Sequence, residues 1–282
     1  MPSLKLPSFK SKPTPALQPS ADTAQLYPTN QGYRESASAT TRFFRNYPQL
    51  LALARTVSTV WPGGTKLDVL HIGGSWGCEA LSFQIVMREQ QPSFQLETVS
   101  TDLDDAIIVP ARRMEYSGEF FQPLRENEGG NPNNLREKWF DVLRVAGPRV
   151  YRPKAVLARS IRFQTLDIRQ PPAALTADIV FCQNVLVHME DELAKRCLNN
   201  ILRLLRTPAI LVCAGMKLDL KAILAQAGLV PVTDSIQEVH DMWSSQRVHY
   251  QENPGKIYFE LEDLDRTRPD WEVRYSTIFI KQ

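Results

Sequence analysis

The chain lacks any pair of cysteines close enough to form a C-x-x-C unit: its four, Cys78, Cys182, Cys197 and Cys213, lie far apart. Zinc knuckles and disulfide frameworks are thereby set aside, no metal site is expected, and a reducing compartment is the simple inference. An excess of one charge is lacking too. Thirty-three basic residues face 31 acidic ones in 282, a net charge of +2, so the balance offers no support for generic nucleic-acid binding. No apolar run approaches the roughly 18 residues of a membrane span, and the N-terminus has no apolar core of the secretory-signal kind. The expectation is a soluble, cytoplasmic protein with no membrane or nucleic-acid partner; its oligomeric state is not readable. At 43% hydrophobic and 23% charged residues, the composition suits one large globular domain with or without appendages.

What is present is concentrated in Leu67 to Glu79, followed by Ser100 to Asp104. Apolar residues cluster in Leu67 to Ile72 and around Leu96 to Val99, with helix-like spacing from Ala80 to Met87 between them. This predicts a βαβ unit. Gly73, Gly74, Ser75 and Gly77 form a turn that lets a ligand approach bare backbone near a helix N-terminus, and Asp102 can accept from ribose hydroxyls at the second strand's end. The spacing is not G-x-G-x-x-G, and Trp76 would crowd a second phosphate, which argues against a dinucleotide and hence against an NAD-dependent oxidoreductase. A nucleoside cofactor without phosphate fits, S-adenosyl-L-methionine being the candidate, with S-adenosyl-L-homocysteine as its product. Glycine turns after strands also occur for packing alone.

The rest of the chain extends this pattern. Residues 1–30, rich in Pro, Ser, Lys and Thr, are expected to be a disordered tail. A helical lead-in is expected over 31–62, its apolar face (Phe43, Phe44, Tyr47, Leu50, Leu51, Leu53, Ala54, Val57) interrupted at Pro48. The main domain would run over 63–282, with a helix starting near Leu103 to Asp105, a polar stretch from Gly118 to Asn134, and a small β insertion at about 136–160, turning at Ala146-Gly147-Pro148. Ile161 to Leu166, Ala177 to Cys182 and Ala209 to Ala214 read as further strands, and Asp191 to Leu205 as an amphipathic helix. Lys256 to Leu261 and Val273 to Ile280 suggest an antiparallel pair closing the sheet edge. The expected fold class is α/β: a Rossmann-like, doubly wound, mostly parallel sheet with C-terminal antiparallel strands.

Four segments together resemble the CheR-type, chemotaxis-receptor methyltransferase family. Thr41-Arg42-Phe43-Phe44-Arg45 is similar to its Thr-x-Phe-Phe-Arg, His71 to Glu79 to its glycine turn ending in Gly-Glu-Glu, and Ser100 to Asp104 to its Asp-Ile-Asp. Ile179 to His188, containing Phe181-Cys182-Gln183-Asn184-Val185, resembles its Ile-Phe-Cys-Arg-Asn-Val-x-Ile-Tyr. The likeness spans roughly residues 38 to 215. It implies a class I S-adenosylmethionine-dependent methyltransferase, with Glu79 on the methionine amino group, Asp102 and Leu103 at the ribose, Asp167 and Ile168 at the adenine, and Thr41, Gln183 and Asn184 near the cofactor. Arg45 matches the arginine beside the methyl acceptor, where its guanidinium could hold a carboxylate bidentately.

The departures bear on the acceptor. Gln183 stands where the family has arginine, and His188 where it has tyrosine. The expectation is O-methylation of a carboxylate, on protein glutamate or a small molecule, since Arg45 is retained. An alternative is a small-molecule O- or N-methyltransferase with His188 as general base; another is a non-catalytic cofactor-binding module. About 40 residues precede the Phe-Phe-Arg segment, too few for the family's full N-terminal helical domain, and the tail with Trp243, Gln246, Arg247 and His249 could form an acceptor wall.

Overall fold

The computed structural model describes residues 41–122, 130–143, 149–242 and 263–282. The expected tail, the turn of the β insertion, Lys256 to Leu261 and the Trp243 to His249 segment lie outside them.

Helix α1 (Tyr47–Val60) leads in. Pro48 opens this helix and does not interrupt it: Asn46 caps the N-terminus by accepting from Gln49 N, and a first-turn proline forfeits only an N–H that had no helical partner. The alternation then runs β1 (Lys66–Ile72), α2 (Cys78–Gln90), β2 (Gln95–Asp102), α3 (Asp105–Ala111). After the small β3 (Tyr116–Ser117), α4 (Leu135–Trp139), β4 (Phe140–Leu143), β5 (Val150–Pro153) and α5 (Ala155–Ala158), it resumes with β6 (Ile161–Thr165), β7 (Ala177–Gln183), α6 (Asp191–Leu204) and β8 (Leu205–Ala214). The chain closes through α7 (Leu218–Gln226), β9 (Val230–Pro231), α8 (Ile236–Asp241), α9 (Trp271–Tyr275) and β10 (Ile278–Lys281).

The main sheet has seven strands in the order β6-β2-β1-β7-β8-β10-β9. Its first five strands are parallel, and β10 runs antiparallel between β8 and β9. An antiparallel edge was expected, but the described partners of β10 are β8 and β9, and the strand is shorter than Val273 to Ile280. Trp271–Tyr275 is helical, because Arg274 pairs with Asp270 one turn earlier at 3.0 Å and the buried Lys221 ammonium donates to Arg274 O and Ser276 O. Those carbonyls are therefore unavailable to a strand ladder.

Two apolar layers sandwich the sheet. One, beneath α6 and α7, contains Leu70, Val180, Leu198, Ile201, Leu211 and Phe279. The other lies under α1 and α2 and extends into a three-stranded sheet of order β3-β5-β4, which contains the expected hairpin. The "polar" stretch from Gly118 contributes to this layer, because Phe120 and Phe121 are buried. Phe43, fully buried, stacks on Phe121 at 4.4 Å and meets Tyr116 and Phe140 edge-on at 4.9 and 5.0 Å. Aromatic contacts of this geometry add to the area they bury.

Phe43→Ala should cost about 3–5 kcal/mol, the range for truncating a buried aromatic. Urea unfolding measures it, and a loss under about 1 kcal/mol would show that this aromatic joint does not hold the insertion to the domain.

Candidate functional site

In a doubly wound sheet, ligands bind beyond the carboxyl ends of the strands, where the strand order reverses. Here the chain leaves β1 toward β2 on one side and later adds β7 on the other, so the crevice opens between the ends of β1 and β7. The glycine turn sits on one lip, Gln183 and Asn184 on the other.

No side chain fits at the three glycines of the turn. A Cβ on Gly73, which has φ +68°, would lie 2.4 Å from Val185 Cγ2; one on Gly74 would meet Ser100 Oγ at 2.2 Å. Gly77 has φ +80°, and a Cβ there would strike the Phe163 ring at 2.5 Å. Gly74 N donates to Thr101 O and Gly77 N to Gly74 O, while Tyr116 donates its hydroxyl to Trp76 O at 2.8 Å. The three-stranded sheet is thereby fastened to the turn.

Asp102, 6% exposed, accepts from Ser75 N at 3.1 Å and from Asp104 N at 3.3 Å. Burial pushes its carboxyl above the usual range, against the lowering effect of the backbone N–H groups of Asp104, Ser75 and Leu103. Leu103 is half-buried beside it. Glu79, on the first turn of α2, receives Gln183 Nε2 at 2.6 Å and faces His71 Nδ1 at 2.7 Å. Asn184 follows in a left-handed conformation, φ 55°, its amide bonded to Ala214 O and its side chain against Gly215.

The Thr41 to Arg45 segment is tied to the first turns of α2. Phe44 has φ 55°, rare for a bulky residue, and its amide donates to Ser82 Oγ at 2.8 Å. Ser82 bonds back to Cys78 O, and the Thr41 hydroxyl hydrogen-bonds to the buried Cys78 thiol. The half-buried Arg45 is thus carried on a turn pinned to the first turns of α2. His188 is exposed on a single helical turn after β7; its amide bonds to Val185 O, and Val185 is the residue packed on Gly73.

Asp167 and Ile168 follow β6. Burial alone would raise the Asp167 carboxyl, but hydrogen bonds from the Arg169 guanidinium and amide outweigh it and hold Asp167 below the usual range. Ile168 is buried in the α6-side core, and Asn200 donates to its carbonyl at 2.8 Å, so the Ile168 side chain points into packing. Sequence reasoning assigned no part to His71, Ser82, Tyr116 or Phe163. The available signal was a polar residue, His71, at the end of an otherwise apolar strand.

The described residues fit an adenosyl amino-acid cofactor. The turn excludes side chains at three points, and two carboxylates, Asp102 and Glu79, stand at the ends of adjoining elements. One further buried polar atom beside the turn, Ser100 Oγ, has no hydrogen-bond partner among the described residues. Among those residues no group of acids, histidines and cysteines could hold a metal, and no helix is long and apolar enough to cross a membrane. Fold and site define a class I S-adenosylmethionine-dependent methyltransferase domain.

Residues 39–218 match the family described as CheR methyltransferase, SAM binding domain, and the chain belongs to that family. A probable chemotaxis protein methyltransferase of Rhizobium etli is 24% identical over 166 residues, 54% of this chain and 57% of the relative. Chemotaxis protein methyltransferase 2 of Pseudomonas aeruginosa is 25% identical over 181 residues, 62% of this chain and 61% of the relative. The matched stretch thus spans little more than half the length of these curated relatives. Among solved structures, N-methyltransferase NodS of Bradyrhizobium japonicum, in complex with S-adenosyl-L-homocysteine, is 16% identical with a TM-score of 0.39, over 74% of this chain and 85% of that one.

Gly77→Ala should destabilise the protein by about 1–3 kcal/mol through the left-handed backbone, with the Phe163 contact adding to this. Chemical denaturation measures the loss, and an unchanged midpoint would mean that the turn relaxes freely.

Proposed function

We propose that this chain transfers a methyl group from S-adenosylmethionine to a carboxylate oxygen of its acceptor, on a protein glutamate or a small molecule. The observation that carries this reading is the fastening of the Arg45 turn to α2 through Phe44 N and Ser82 Oγ, which brings an arginine to the helix bearing Glu79. S-adenosylmethionine supplies a methyl group on a sulfonium. Held by Asp102 and Glu79 at the glycine turn, the cofactor would supply that methyl group to an acceptor oxygen, with the carbon–sulfur bonding pair staying on the sulfur as the neutral thioether. A carboxylate, with a reference pKa of about 4.3, is already ionised and gives up no proton. The enzyme's task is then alignment, and Arg45 performs it by holding the carboxylate. Asp102 takes the ribose hydroxyls, Glu79 the amino group, and the glycine turn the backbone-facing edge of the tail. Asp167 and the Ile168 backbone flank the adenine, with Thr41, Gln183 and Asn184 lining the crevice.

The names of the two relatives point to a protein acceptor, which suits the carboxylate reading. A second reading is favoured by the exposure of His188: an exposed imidazole on the turn after β7 could take the proton of a hydroxyl or amine acceptor. Product chemistry separates the two. A methyl ester is released by mild base, whereas an ether or methylamine is not.

Three outcomes are expected. Radiolabelled methyl transferred to acceptor should be base-labile; a base-stable product would overturn the carboxylate reading. Arg45→Ala should spare S-adenosylhomocysteine binding in calorimetry while cutting turnover, and Asp102→Ala should abolish binding; equal affinity loss in both would show that Arg45 has the wrong role. Because burial raises the Asp102 pKa, its proton returns at a higher pH than for an ordinary aspartate as the solution is acidified. Affinity should therefore decline before the usual carboxylate range is reached, and Asp102→Asn should flatten that decline.

A further inference from the structure

Glu79 is gripped by donors from two strands. His71, next to last in β1, places Nδ1 2.7 Å from Oε1, and Gln183, last in β7, donates Nε2 to Oε2 at 2.6 Å. His71 is fully buried, its ring stacked on Phe181 at 4.1 Å and 15°. Its Nε2 has no hydrogen-bond partner among the described residues. An ionised carboxylate oxygen only accepts, so the proton between His71 and Glu79 belongs on Nδ1. A second proton on Nε2 would be a buried donor with no acceptor among the described residues. The geometry therefore assigns the neutral Nδ1–H tautomer.

Both donors to Glu79 are then uncharged. An arginine or an imidazolium in either place would offset part of the carboxylate's charge, whereas an amide and a neutral imidazole orient it and add no opposing charge. Glu79 remains partly open to the crevice, with its side chain 26% exposed. A fixed, partly desolvated anion there selects a cationic group, the ammonium of an amino-acid tail.

We propose that His71 is a positioning residue for the cofactor's amino group: with Gln183 it forms a neutral clamp that aims a fully charged Glu79 at the ammonium. This rests on the reading of Glu79 as the partner of that amino group. His71 does not itself touch the cofactor; it acts through Glu79, so its loss is felt only by ligands that carry the tail.

The test compares calorimetric affinity for S-adenosylhomocysteine with that for methylthioadenosine, which lacks the amino-acid tail. His71→Ala should weaken S-adenosylhomocysteine binding about tenfold to a hundredfold, the value of one hydrogen bond to a charged group, and leave methylthioadenosine unchanged. His71→Asn, whose amide nitrogen falls where Nδ1 lies, should restore most of the loss. Equal weakening of both ligands would mean that His71 merely fills the core and would overturn the proposal. In the unmutated protein, nitrogen-15 spectra of its four histidines should give His71 a protonated Nδ1 and a bare Nε2. The opposite tautomer, or an imidazolium, would overturn the neutral clamp even if the alanine variant fails to fold. Glu79→Gln separates the two layers of the argument. A loss confined to S-adenosylhomocysteine upholds the Glu79 reading, so an unaffected His71→Ala beside it would defeat the His71 proposal alone. No selective loss in Glu79→Gln would defeat both.

Discussion

The site depends on a turn whose three glycines leave no room for a Cβ. The turn from Gly73 to Gly77 lies between the residue packed on its β7 side, Val185, and those on its β2 and β6 side, Ser100 and Phe163, each within 2.5 Å of where a Cβ would stand. That closeness puts the ends of β1, β2 and β7 within reach of one small ligand. It also explains how partners distant in sequence meet at the turn: Asp102 accepts from Ser75, Tyr116 donates to Trp76, and Gln183 reaches Glu79 across 104 residues.

The surrounding packing holds the turn in place. The Phe43 aromatic cluster ties the lead-in segment to Tyr116 and Phe121, and the hydroxyl of Tyr116 in the three-stranded sheet tethers the turn. The backbone at Ser75 and Asn184, φ 49° and 55°, is left-handed at non-glycine residues on opposite lips of the crevice, as is Phe44 on the turn tied to α2. Such conformations cost about 1–3 kcal/mol each and persist only where neighbours over-determine them. At the two lips of the crevice, Ser75 and Asn184 supply what a pre-organised binding site requires, since ordering has been completed before the ligand arrives.

The electrostatics divide along the same lines. Asp102 and Glu79 are both acids at strand or helix ends, yet their surroundings treat them differently. Asp102 is deeply buried among backbone N–H groups, and desolvation dominates. Glu79 is partly open and held by side chains. Asp167 has yet another environment, its charge met by Arg169 in its own loop. Of the three, Glu79 has side-chain partners that leave its charge uncancelled, which suits it to a cationic group.

Sequence alone determined the alternating α/β order, the βαβ unit with its glycine turn, the strand-end acids, the hairpin within the insertion and the family likeness, because these rest on local periodicity and on residue types few backbones demand. It misjudged Pro48, Phe120, Phe121 and Val273 to Tyr275. Whether proline opens or breaks a helix, whether phenylalanines in a polar stretch are buried, and whether a short apolar run becomes helix or strand depend on contacts made elsewhere. Lys221, for example, claims the carbonyls at the end of α9 from a helix more than 50 residues earlier. Only the tertiary structure brought His71 and Gln183 to Glu79 and Ser82 to the Phe44 turn. A hydrogen bond between strand ends is set by sheet order and register, and neither is written in the spacing of residues along one strand.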